Sequence, residues 1–160
     1  MVAQTQTRTG TDVMECLVHA QANAIASYLN YKRYHWFTFG AHFRDLYLFF
    51  DEVAGEAFAE IDPFGERIRM LHGDPLSTPR EIERAATIRM AEGKVTPRQM
   101  LEEALANERN IIEGMRRGAK VAEESGDYGT NDLFSQHVQT HGKYAWFIQE
   151  FLRKDDGMGA

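Results

Sequence analysis

His35-Trp36 stands near the end of one helical segment, and Asp62-x-x-x-Glu66 follows well into the next. One imidazole and two carboxylates at controlled spacing suit a metal that takes mixed nitrogen and oxygen donors, iron above all. Tyr47 and Asp51 lie between them. At about 100° per residue, the step from Asp51 to Asp62 leaves roughly 20° of net rotation, and Glu66 adds about 40° more. Tyr47 precedes Asp51 by one turn, so Tyr47, Asp51, Asp62 and Glu66 share one helix face, apart from the Phe49, Val53 and Phe64 stripe. Spacing does not separate a metal site from a hydrated surface: carboxylates on an exposed face are usually just solvated, and a lone His beside Trp is more often packed than ligating.

Two further groups carry chemistry. His137 and His141 are one turn apart on the last helical segment, with His141 seven residues from both Phe134 and Ile148. A core-facing pair could join Glu56 or Glu60 in an extra metal site at the bundle centre; the competing reading is a pair of hydrogen-bonded core or interface histidines. Glu123, Glu124, Asp127 and Asp132 surround the turn before that segment. His19, His42 and His72 are isolated and receive no role.

The elements that must position these residues are helices. Asp12 with Glu15 reads as a capping pair, and Leu17, Ala20, Ala24, Tyr28 and Tyr31 recur at helical steps until Gly40. A second helix is predicted over 41–72, with Leu46, Phe49, Phe50, Val53, Ala57, Phe64, Ile68 and Leu71 as its apolar stripe and Gly73-Asp74-Pro75 as its stop. Pro63 removes a backbone bond to Ala59 and predicts a kink or bulge there. Thr78-Pro79-Arg80-Glu81 and Thr96-Pro97-Arg98-Gln99 each place a Thr cap, a first-turn Pro and a capping-box partner. The first opens a short helix ending near Glu92-Gly93. The second opens a long one closed by Ser125-Gly126, and a last helix starts near Thr130. No strand signal is present. The pattern is all-α: a four-helix bundle over 12–154, with a short extra helix in the crossover between the second and third long helices. Residues 1–11 and 155–160 are read as flexible tails.

Composition narrows the function classes. The chain has 160 residues, enough for one domain with a real core, and 18 basic against 24 acidic residues give a net charge of −6. The lone Cys16 excludes an intramolecular disulfide and a cysteine-based metal site and fits a reducing compartment. The first ten residues are polar, unlike a signal peptide or anchor, and no apolar run is long enough to span a bilayer, so a cytoplasmic protein is expected.

The stretch His35-Trp36-Phe37-Thr38-Phe39-Gly40-Ala41-His42-Phe43, then Phe50-Asp51, then Asp62-Pro63-Phe64-Gly65-Glu66-Arg67 resembles the signature of Dps proteins, the DNA-binding proteins from starved cells. These are the small branch of the ferritin superfamily. Leu71-His72-Gly73-Asp74-Pro75 and the final Asp132-Leu133-Phe134 through Lys143-Tyr144-Ala145-Trp146-Phe147-Ile148 match as well, in order and over nearly the whole chain. The resemblance implies a ferritin-like fold and a homo-oligomer, a dodecameric shell with ferroxidase sites between subunits related by twofold axes. It implies His35 as the first histidine ligand and Asp51, Asp62 and Glu66 as carboxylate ligands. Hydrogen peroxide or oxygen is the implied oxidant of Fe2+, ferric oxyhydroxide the stored product, protection from oxidative stress the role, and zinc a competing occupant.

Two departures qualify that expectation. The family has its second histidine where this chain has Tyr47. Tyr47 is read either as part of the site, through its phenol, or as an interface residue that weakens one metal position. The competing function is thus a non-catalytic shell or metal buffer. The acidic turn with Asp127 and Asp132 is the implied threefold pore. DNA binding is expected to be weak or absent, because the first ten residues hold only Arg8 and the tail pairs Arg153-Lys154 with Asp155-Asp156.

Overall fold

The computed structural model describes the backbone of residues 2–154 and the side chains of residues 12–154. Its elements are α1 (Val2–Phe37), α2 (Phe43–Met70), α3 (Pro79–Ala85), α4 (Pro97–Glu124) and α5 (Tyr128–Leu152). Among the described residues there is no strand, and the architecture is the expected bundle: four long helices with α3 in the crossover. The C-terminal segment 155–160 lies outside the described residues.

Several boundaries differ from the sequence reading, each for a local reason. α1 is already helical at Val2, so Asp12 lies inside it and forms no N-terminal cap with Glu15. Elongation is cheap once the packed part of a helix exists, and no proline interrupts residues 2–12. α2 stops at Met70, and His72 takes a left-handed φ of 64°. Between α1 and α2 the chain reverses at Gly40, where φ is +93°. At the α4–α5 reversal Gly126 has φ +75°, while Gly126 and Asp127 donate to the carbonyls of Glu123 and Ala122 at 2.9 and 2.8 Å, closing α4 in a Schellman-type turn.

Both Thr-Pro starts form complete capping boxes, Thr78 with Glu81 and Thr96 with Gln99. The helix opened by Thr78 is nevertheless shorter than predicted, ending at Ala85. Beyond it the chain is strapped down by amides buried in helices. Thr87 N donates to Asn23 at 2.8 Å, and Arg89 N donates to Asn107 at 3.0 Å. Ala91 N donates to Asn30 at 2.8 Å, while Asn30 and Asn107 both donate to the Arg89 carbonyl at 2.9 Å. Gln21 does the same for Leu76, accepting from its N–H at 2.8 Å. An irregular buried strap must satisfy its peptide groups somehow, and four side-chain amides substitute for the missing ladder. We predict that Asn30→Ala lowers stability by about 1–3 kcal/mol, since the Ala91 N–H is left without its acceptor while the Arg89 carbonyl keeps Asn107. Helix propensity alone would make the same change favourable. Chemical denaturation distinguishes the two; a stabilised variant would refute the strap.

The core has two apolar clusters. One joins Val13, Leu17, Phe64, Ile68, Ile111, Met115 and Phe134; the other joins Tyr34, Phe50, Val53, Leu101, Ala104, Tyr144 and Ile148. Between these positions on their helices stand Glu60, Glu108 and His141, all buried. A polar layer thus divides the apolar core.

Candidate metal centre

His35 ends α1 and is buried, with 6% of its surface exposed. Its Nδ1 lies 2.7 Å from the backbone carbonyl of Tyr47, one helix across the Gly40 turn. A carbonyl only accepts, so Nδ1 carries a proton, and in the neutral ring that leaves the lone pair on Nε2. Nε2 points toward Asp51, 4.0 Å from Oδ1. The Tyr47 ring stacks on the imidazole with centroids 3.9 Å apart and a 29° tilt. Lys32, one turn before Trp36 on α1, reaches Asp51 at 2.7 Å and lies 5.6 Å from the centre of the Trp36 ring. The hydrogen bond from Lys32 holds the Asp51 carboxyl below its usual range. Sequence reasoning missed Lys32, although its position three residues before His35 was a usable signal.

Asp62 and Glu66 occupy the same exposed face of α2 as Tyr47 and Asp51. α2 continues through Pro63 as one helix. The carbonyl that Pro63 leaves without a donor belongs to Ala59, an exposed residue, where solvent can replace the lost bond. At 1.5 Å of rise per residue, Asp62 lies roughly 16 Å and Glu66 roughly 22 Å along α2 from Asp51. The same protomer therefore cannot bring them to the ion that His35 and Asp51 would hold. Among the described residues no three His, Cys, Asp or Glu side chains converge as a metal cluster within the protomer. The candidate donors therefore fall into two separate groups: His35 with Asp51, and Asp62 with Glu66. Asp51 is thereby grouped with the histidine, apart from the other two carboxylates.

His137 and His141 face the bundle centre. His141 Nδ1 donates to Glu108 at 2.6 Å and its Nε2 donates to Glu60 at 3.0 Å. Tyr31 donates to the other oxygen of Glu108. His137 Nδ1 approaches Glu60 Oε1 at 3.1 Å as an ion-pair contact that lacks hydrogen-bond geometry. Burial alone would lower the His141 pKa, but Glu108 and Glu60 raise it to about 10. Burial likewise pushes Glu60 up, and the two histidines bring it down to about 2. His141 is thus an imidazolium between two carboxylates, with both nitrogens engaged. Of the two glutamates considered from sequence, Glu60 is the partner and Glu56 is exposed. Glu108 escaped notice, although an acid between Ala104 and Ile111 breaks the apolar stripe of α4.

At the α4–α5 turn, Asp127 is the N-cap of α5, accepting from Thr130 N at 3.0 Å and Thr130 Oγ1 at 2.6 Å. It also pairs with Arg67 of α2. Burial pushes its carboxyl up, but the Thr130 and Arg67 contacts leave it lowered. A Cβ at Gly129 would lie 2.9 Å from Arg67 Nη2, so a larger residue there would make the guanidinium shift. Asp132 is exposed and accepts from Gln136 at 2.6 Å.

A family model described as the ferritin-like domain matches residues 14–158. The chain is 31% identical over 141 residues to DNA protection during starvation protein 1 of Deinococcus radiodurans, covering 88% of this chain and 68% of that protein. It is 32% identical over 131 residues to the nutrient stress-induced DNA-binding protein of a Nostoc species, covering 81% and 71% respectively. The crystal structure of Dps from Thermosynechococcus elongatus matches with a TM-score of 0.94 and 46% identity, over 98% of this chain and 99% of that one. Dps from Vibrio cholerae, described as a member of a broad superfamily of ferritin-like diiron-carboxylate proteins, matches with a TM-score of 0.86 and 25% identity over 92% of each chain. The helix order, the crossover and the matches along nearly the whole chain agree, and the protein belongs to the Dps family of ferritin-like proteins.

Proposed function

We propose that the protein is an iron-sequestering ferroxidase and store acting in the cytoplasm. Two copies meet about a twofold axis so that His35 and Asp51 of one face Asp62 and Glu66 of the other. The separation of roughly 16–22 Å along α2 between the two halves carries this reading, because no single protomer can close the site. Exposed large apolar side chains, among them Leu29, Trp36, Leu48 and Phe58, supply surface for such contacts. Twelve copies make the shell by family resemblance.

Iron is the substrate. Each of two ferrous ions gives one electron to hydrogen peroxide, whose O–O bond breaks to leave water or hydroxide; oxygen is the alternative acceptor. Hard carboxylate oxygens hold both oxidation states, and one imidazole completes the donor set. Zinc fits the same donors and would compete. The ferric product is stored as oxyhydroxide inside the shell, which limits radical chemistry under oxidative stress. Asp132 is the exposed carboxylate for the pore; Asp127 is occupied by Arg67 and the α5 cap.

Anaerobic Fe2+ titration followed by a peroxide pulse tests this reading, with sedimentation reporting the assembly. Saturable Fe2+ uptake and rapid oxidation are expected of the assembled protein. A slow, unsaturable reaction would favour the second reading, a non-catalytic shell or metal buffer. The Lys32–Asp51 ion pair is the observation that keeps that reading in view, since a cation already neutralises one donor.

DNA is not a partner on this reading. A net charge of −6 offers little counterion release. We predict no mobility shift of duplex DNA at about 150 mM salt. A robust shift that disappears on deleting residues 1–10 would reverse the conclusion.

A further inference from the structure

We propose that Tyr47 is a positioning residue for His35 and not itself a metal ligand, an inference that rests on the half-site reading above. Three observations point the same way. The Tyr47 carbonyl takes the Nδ1 proton of His35 at 2.7 Å. The Tyr47 ring lies on the imidazole at 3.9 Å, tilted by 29°. Phe43 backs that ring from one turn earlier on α2, with centroids 5.4 Å apart and a 35° tilt. Phe43, Tyr47 and His35 therefore form a stack of three rings across the Gly40 turn.

The geometry decides between ligand and support. A metal on His35 lies in the plane of the imidazole, along the Nε2 lone pair, about 2.0–2.1 Å from the nitrogen. The Tyr47 ring lies over the face of the imidazole, whereas a ligand's donor atom would have to sit off the Nε2 edge of that ring. To ligate, Tyr47 would have to leave the stack and expose His35. Among the described residues its hydroxyl has no hydrogen-bond partner, so nothing aims it at a donor position.

As support, Tyr47 does two things. Its carbonyl selects the tautomer with Nε2 unprotonated, and its ring covers one face of the imidazole, which opposes ring flipping and entry of water. Partners of this outer-shell kind set ligand orientation, and their loss costs about 10–100-fold in metal affinity. The site then has one imidazole, its orientation fixed from behind by a residue in the place where the family has a second histidine.

The test uses the assembled protein and three variants. Co2+, which is not oxidised in the assay, reports affinity. Magic-angle-spinning 15N spectra of histidine-labelled protein report the His35 tautomer, assigned by difference from His35→Gln. Tyr47→Phe is expected to bind Co2+ within about threefold of wild type and to keep a single Nδ1–H signal. Tyr47→Ala, which keeps the backbone carbonyl and removes only the ring, is expected to keep the Nδ1–H signal and to lose about 10–100-fold in affinity. If Tyr47→Phe falls as far as Tyr47→Ala, the phenol is a ligand and the proposal is wrong. A tyrosinate-to-iron charge-transfer band in ferric-loaded wild type, absent from Tyr47→Phe, would overturn it too. Unchanged affinity in Tyr47→Ala would show the ring to be a bystander, and a wild-type spectrum without the Nδ1–H signal would refute the carbonyl's part. If His35→Gln leaves Co2+ binding intact, the metal-site reading fails, while the metal-free tautomer spectra still judge the positioning claim.

Discussion

Asp62→Ala/Glu66→Ala is expected to slow the rapid, peroxide-driven oxidation of Fe2+ by at least about 100-fold, beyond the 10–100-fold that outer-shell changes alone cause. Both side chains are exposed and have no partner among the described residues, so the described fold does not depend on them. Their replacement should leave stability within about 0.5 kcal/mol, as for other surface changes. Slow oxidation on mineral or in solution would remain. A double variant that oxidises iron as fast as wild type would place the site elsewhere. The shared site makes a sharper demand. Co-assembly of His35→Ala subunits with Asp62→Ala/Glu66→Ala subunits puts both defects into one site of each mixed twofold pair and leaves the other site whole. With random pairing, about a quarter of sites are intact, so about a quarter of the fast phase returns although neither parent has it. A site closed within one subunit would show no such recovery.

That half-site logic explains what could be read from sequence. The four α2 positions were legible because helix periodicity converts spacing into a shared face, and Tyr47, Asp51, Asp62 and Glu66 do share one. Distance along the helix was equally available, but only the fold shows Asp51 beside His35 across the Gly40 turn. Lys32 could be placed on the His35 face of α1 from spacing, but its pairing with Asp51 depends on how α1 and α2 pack side by side. The capping boxes at Thr78 and Thr96 were readable because every group in them is local. The end of α3 was not, because Asn23, Asn30 and Asn107, remote in sequence, capture the peptide groups that a longer helix would have used. Asp127 reads as a pore residue from the family resemblance, on a turn whose acidity is visible in sequence. Its neutraliser Arg67 comes from another helix, 60 residues away.

His141→Leu is the second large effect expected, and it bears on what the polar layer does. Removing one member of a buried ion network costs about 3–5 kcal/mol, because the charges left behind stay desolvated. Glu60 keeps His137 and Glu108 keeps the Tyr31 hydroxyl, which places the loss toward the lower end. For a domain of this size that corresponds to a fall of roughly 6–12 °C in the unfolding midpoint. The pH dependence identifies the cause. Folding raises the His141 pKa from 6.5 to about 10, so the folded chain holds that proton more tightly. The stabilisation is complete below pH 6.5 and is lost as pH rises through about 10, at a slope near 1.4 kcal/mol per unit between those values. The gap between wild type and His141→Leu should therefore narrow across that window. A gap that stays constant would mean that His141 contributes packing and no charge. Glu60→Gln/Glu108→Gln/His141→Leu, which removes the carboxylates together with their shared cation, should recover most of the loss. Recovery would show that the layer contributes little net stability, and that its effect lies in requiring Glu60, Glu108 and His141 to meet at one level of the bundle. That requirement fixes how α2, α4 and α5 stand relative to one another, and through α2 it fixes where Asp62 and Glu66 are presented.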